Sequence, residues 1–254
     1  MALRSKSLFL YGFEVTVNNQ YIPFKNSSGG SVINASIATG FYSLTSLIAA
    51  IQTAMNLSDP TNTYTVTADR SFSSGTQNRV SIATSGTYLS LLFSSGSLAS
   101  ASVRDLIGFA HTDRTGATTY QGTISAGTAL QTDWYGKNYK PPASTLKNIG
   151  AVNISAKGIK EAITWSIMQF IEVEFENEAQ AKVLAYWPQL IQWMIQQRPF
   201  DFTPETSSPS TVYSVTLDKT GDDGQGLAMS MKELVPDRPF MFTTGQLTFR
   251  VIPT

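Results

Sequence analysis

The six residues from Ile171 to Glu176 read I-E-V-E-F-E. Successive side chains of a strand point to opposite faces. Ile171, Val173 and Phe175 therefore share a buried face, and Glu172, Glu174 and Glu176 a wet one. Alternation of this kind predicts an antiparallel strand with one side on a core. The strand extends upstream through "AITWSIMQF" and is unusually long. A helix is expected over 177–197, with Val183, Leu184, Trp187, Leu190, Ile191 and Met194 in a stripe at spacings of three and four. Pro188 would leave the Leu184 carbonyl without its usual partner, so a kink or break is expected there. Alternation then returns in "PFDFTP". A helix packed on a long antiparallel sheet is a scaffold, with little nearby to perform chemistry.

The rest of the chain reads as β-rich modules. Residues 8–25 hold two β-rich runs around "NNQ", which predicts a hairpin. In 43–56, Leu44, Leu47, Ile48, Ile51 and Met55 follow helical spacing behind Ser43, a suitable N-cap. Three alternating runs separated by Ser/Gly clusters predict an antiparallel meander over 62–127, with a tight turn at "SVRDLIGF" and a closing strand at "ATTYQGTIS". These elements form a module over 1–127. Residues 128–150, with Pro141 and Pro142 and little periodicity, are expected to be a linker or extended arm, and 151–254 a second β-rich unit. The expected core aromatics of that unit are Trp165, Phe175, Trp187, Trp193, Phe200, Phe202 and Phe249. The fold class expected is mainly β, α+β.

Composition narrows the function. Charged residues are 14% of the chain, well under the roughly one quarter of an average soluble protein. Basic and acidic residues balance at 18 each, giving no electrostatic sign of nucleic acid or an anionic membrane. A neutral, charge-poor surface does little to resist self-association, which favours a subunit of an assembly. The chain has no cysteine, which excludes disulfides, thiolate metal sites and cysteine nucleophiles. The start, "MALRSKSLFLYGFEVTV", reads as a strand and not as a signal peptide, and no run is long enough to cross a bilayer as a helix. A soluble protein made in the cytoplasm is expected.

Candidate chemistry is thin. His111 is the single histidine, beside Asp113 and Arg114, with no triad-like spacing. Glu172, Glu174 and Glu176 stand about 7 Å apart along a strand, too spread for one cation, and suit a subunit-facing charged surface. "DKTGDDGQG" at 218–226 lacks the order of acids of a calcium loop and reads as a hairpin turn. Trp134, Tyr135 and Tyr139 in the expected arm suit docking into a neighbouring subunit, with local core packing or stacking on a sugar as alternatives. No nucleotide-binding or zinc-protease motif occurs, and no basic–aromatic patch. No catalytic residue, metal ligand or cofactor is expected.

Two stretches carry a resemblance. The first is "LFLYGFEVTVNNQYIPFKNSSGG" followed by "YSLTSLIAAIQTAMN", "YTVTADRS", "RVSIATSGTYLSLLF" and "LIGFAHTDRTGATTYQG"; it resembles a module of tailed-bacteriophage structural proteins. The second is "VEFENEAQAKVLAYWPQLIQWMIQQRPFDFTPETSSPSTVYSVTL" with the later "TGQLTFRV", which is similar to phage tail-tip proteins. Together they cover about 8–127 and 160–252. The resemblance implies a tail-tube-like antiparallel β-sandwich with one packed helix over 151–254, beside an inserted or N-terminal β-rich module with one helix. It implies a distal-tail, baseplate-hub or tube subunit of the virion, in a homo-oligomeric hexameric ring, with tail tube, hub or fibre proteins as partners. It implies no enzyme, no specific nucleic acid and no membrane anchor. Two alternatives stand beside it. One is a receptor- or glycan-binding module of the tail, with 27–127 as reader and 150–254 as mount. The other is a capsid decoration or head–tail connector protein.

Overall fold

The computed structural model describes residues 6–70, 75–127, 129–133, 143–154, 160–175, 178–204, 211–218, 232–233, 241–244 and 246–253. It is mainly β with a few helices, an α+β fold, and the pairings given below by register are antiparallel. The chain forms two compact units. The N-terminal unit is Phe9–Leu130 with Pro199–Asp201, and the C-terminal unit is Met1–Leu8, Gln131–Arg198 and Phe202–Thr254.

In the N-terminal unit the helix Leu44–Ser58 buries Leu44, Leu47, Ile51, Ala54 and Met55, a stripe at helical spacing. Ser43 caps its start by accepting the Ser46 N–H at 3.1 Å, as its spacing predicts. Strands Thr119–Gln121, Val80–Thr84 and Tyr64–Ala68 form one sheet in that order. Ile33–Ser36, Tyr21–Lys25, Leu89–Leu91 and Arg114–Ala117 form a second, and Phe13–Val15 with Gly40–Tyr42 a third. Their apolar faces meet the helix in one core, where the rings of Phe24 and Tyr64 pack edge-on at 5.1 Å.

Three expectations for this region are corrected. The runs in 8–25 are not a hairpin, although the turn is real: Asn19 N–H donates to the Thr16 carbonyl at 3.1 Å. Beyond it Phe13–Val15 takes Gly40–Tyr42 as partner, and Tyr21–Lys25 takes Ile33–Ser36 and Leu89–Leu91. Phe13, Val15, Ile22 and Phe24 are all buried, and separate partners give each run its own place in the core. The meander over 62–127 is likewise divided, since Leu89–Leu91 leaves the sheet of Val80–Thr84 to pair with Tyr21–Lys25. The expected linker over 128–150 begins and ends in strands, Ala129–Asp133 and Ala143–Ile154.

A seven-stranded sheet runs in the order Ala129–Asp133, Lys6–Leu10, Phe200–Thr203, Tyr213–Leu217, Gln246–Val251, Lys160–Glu174, Ala143–Ile154. A small sheet of Glu178–Ala179, Met241–Thr243 and Lys232–Glu233 lies in the C-terminal unit. The expected helix over 177–197 is two helices, Gln180–Ala185 and Trp187–Ile195, broken at Tyr186. Pro188 explains the break: it occupies the first turn of the second helix, where its missing N–H costs nothing. The stripe keeps its spacing across the break but is narrower than expected. Val183, Trp187, Leu190 and Met194 are buried, whereas Leu184 is 69% exposed.

Phe175 and Trp187 meet at 6.0 Å and Phe202 and Phe249 at 5.2 Å; these four and Phe200 are fully buried. Trp193 departs from its expected core place. It is half-buried, with the Arg198 guanidinium 4.9 Å above its ring. Trp165 lies in the strand Lys160–Glu174, and its side chain is outside the described residues.

Candidate assembly surface

The longest pairing among the described residues joins Ala143–Ile154 to Lys160–Glu174, in register from Ala143 opposite Glu172 to Ile154 opposite Lys160, with a bulge between Ile149 and Gly150. On its other side, Lys160–Glu174 pairs with Gln246–Val251 only over Phe170–Glu174. Residues 160–169 thus have a single strand neighbour among the described residues, and Ala143–Ile154 is the edge of the sheet.

Period-two geometry sorts the side chains of this ribbon into faces. Ile171 and Val173 lie on the face that buries Leu247 and Phe249, their register partners. Two and four residues earlier, Gln169 and Ile167 continue that face, joined across the ladder by Leu146. Gln169 holds it square by donating Nε2–H to Ser144 Oγ at 2.7 Å. Yet Leu146 is 71% and Ile167 67% exposed. The face thus passes along one strand from buried apolar residues to a mixed stretch, where Gln169 and Ser144 adjoin bare Leu146 and Ile167.

The edge itself carries no proline and a single charge, Lys147, whose ammonium lies 4.6 Å over the Phe170 ring. Proteins ordinarily blunt an exposed edge with proline, bulges or free charge. Here only the bulge at Ile149/Gly150 does so.

The sequence-predicted interface residues fall as follows. Glu172 and Glu174 share one face of the strand, half-buried, opposite Thr248 and Gln246 and on the side away from Ile167. Glu176, Trp134, Tyr135 and Tyr139 lie outside the described residues, as does most of 218–226. Leu146 and Ile167 were not among the predicted residues. The signal that could have found them is the length of the 160–174 strand, which requires a neighbour along its whole course.

The ionisable clusters elsewhere hold structure. Asp59, the C-cap of helix Leu44–Ser58, accepts on Oδ1 from the backbone and hydroxyl of Thr61, and on Oδ2 from Asn26, Asn62 and Tyr64. Burial pushes its pKa up, but the hydrogen bonds from Thr61, Tyr64, Asn62 and Asn26 outweigh it and hold the carboxyl well below the usual carboxylate range. Burial, then the bond to Asp59 and its charge, raise the Tyr64 phenol above its ordinary value. His111 is exposed and does not join a triad-like group among the described residues. Its neighbour Asp113 accepts the Ser94 and Ser95 N–H groups at 2.7 and 3.1 Å. Burial raises the Asp113 pKa, but these bonds and the nearby His111 leave it below the ordinary value. No group of three or more metal-ligating acids or histidines occurs among the described residues.

No family model matches the sequence, and no curated protein matches it.

Proposed function

We propose that this chain is a structural subunit of a bacteriophage tail. It forms a homo-oligomeric, hexameric ring at the tail tip or tube by packing its sheets against those of neighbouring copies. The C-terminal unit plays the part of a tail-tube-like sandwich, and the N-terminal unit is an additional β-rich module. The protein performs no reaction of its own, takes no cofactor, and resides in the virion, where tube, hub or fibre proteins adjoin the ring.

One observation carries this reading beyond the resemblance. The buried face of the seven-stranded sheet continues onto exposed Ile167 and Leu146 beside a twelve-residue edge strand. A neighbouring copy laid on that ribbon would bury both side chains and satisfy the open edge. Low charge and a balanced net charge lower the electrostatic barrier to such packing.

Electron microscopy and light scattering of the purified chain test it. Rings or higher oligomers are expected from the wild type. The double variant Leu146→Asp/Ile167→Asp is expected to remain a folded monomer. A wild type that stays monomeric at high concentration would reject the reading.

A further inference from the structure

The helix Leu44–Ser58 has no acidic residue in its first turn, where a negative charge is most favourable. The carboxylate there comes instead from Asp201, 156 residues later. Its Oδ2 accepts the Thr45 N–H at 3.1 Å, the Thr45 hydroxyl at 3.0 Å and Arg70 Nη2 at 2.7 Å. Arg70 also donates to the Thr45 hydroxyl at 3.0 Å and, through Nη1, to Asn78 Oδ1 at 3.2 Å. Asn78, with a left-handed φ of 58°, gives its N–H to the Asp69 carbonyl and accepts the Ala126 N–H. A chain of contacts from helix start to Ala126 thus turns on one buried carboxylate, 1% exposed. Next to it, the fully buried Phe200 ring packs on Phe9 at 6.1 Å.

We propose that Pro199–Asp201 is a clasp that completes the N-terminal unit from a distant part of the sequence. These three residues belong to that unit. They supply it with both an apolar plug, Phe200, and the helix-capping charge, Asp201. The Phe9–Leu130 segment does not reach its final fold when it is complete as a chain. It waits for residue 201, so its folding is gated by synthesis of the 68 residues between 131 and 198.

Pulsed hydrogen–deuterium labelling of the full chain during refolding tests this order. The amides of 44–58 are expected to gain protection in the same phase as those of 200–203. Protection of the helix in an earlier phase would overturn the proposal. In native full-length Asp201→Ala, exchange at Thr45–Leu47 is expected to rise about tenfold or more, while the amides of Gln246–Val251 keep their protection. Unchanged exchange at Thr45–Leu47 would also overturn it. If that variant does not fold, the wild-type labelling order decides alone.

Discussion

The two units differ in strand length and in how their side chains are held. In the N-terminal unit the strands are short, and its buried carboxylates are paired off. Asp59 closes one end of the helix with five donors, and Asp201 serves the other. In the C-terminal unit the strands Ala143–Ile154 and Lys160–Glu174 are long, and a face that starts on buried Phe249 and Ile171 ends on bare Ile167 and Leu146 beside Gln169. The carboxylates of Asp59 and Asp201 hold both ends of the helix Leu44–Ser58. Bare apolar side chains such as Leu146 and Ile167 lower the free energy when a neighbour covers them. On the proposed function, neighbouring copies pack on the ribbon of the C-terminal unit.

The sharpest way to break that contrast is at the C-terminal core. Trp187→Ala is expected to cost about 3–5 kcal/mol by urea denaturation, since its side chain is fully buried against Phe175. A loss below about 1 kcal/mol would remove the second helix from the core. In the N-terminal unit the comparable site is Gly108, with φ +75° and a would-be Cβ against the Ile124 carbonyl. Gly108→Ala is expected to cost roughly 3 kcal/mol from left-handed strain and the clash together, read by thermal melting.

The polar half of the contrast is tested by pH. The Asp59 pKa is depressed in the fold, so its contribution is present above the unfolded value near pH 4 and fades in acid below it. The Tyr64 pKa is raised, so its contribution is present below about pH 10 and fades as alkali increases. Stability of the N-terminal unit is therefore expected to be flat between these limits and to fall on both sides. Asp59→Asn should flatten the acid side, and an unchanged acid limb would count against the carboxylate clasp.

Smaller effects are expected where side chains meet water. Trp193→Ala should cost about 1 kcal/mol, because its ring is half-exposed under Arg198. Leu146→Asp/Ile167→Asp should change monomer stability by about 0.5 kcal/mol or less. A large loss in that pair would mean that the ribbon face is already used within the monomer.

Local pattern explains what was legible. The helix at 44–58, its Ser43 cap and the alternation of 171–175 depend on neighbours within a few residues, and so did the break near Pro188. Strand partners were less legible. Alternation shows that a run has two faces without naming the run beside it, so the hairpin read into 8–25 became two strands with separate partners. Pro141, Pro142 and little periodicity suggest a linker or extended arm over 128–150, yet strands at its two ends form both edges of a sheet.

The sequence by itself determined the mainly β class, the helix positions and the absence of thiol chemistry, because each follows from residue type and short-range spacing. Only the tertiary structure decided that Asp201 would cap a helix 156 residues away, and that Leu146 and Ile167 would be left bare. The physical reason is that hydrogen-bond partners and burial are properties of what lies alongside, and nothing in a local pattern says which distant segment that will be.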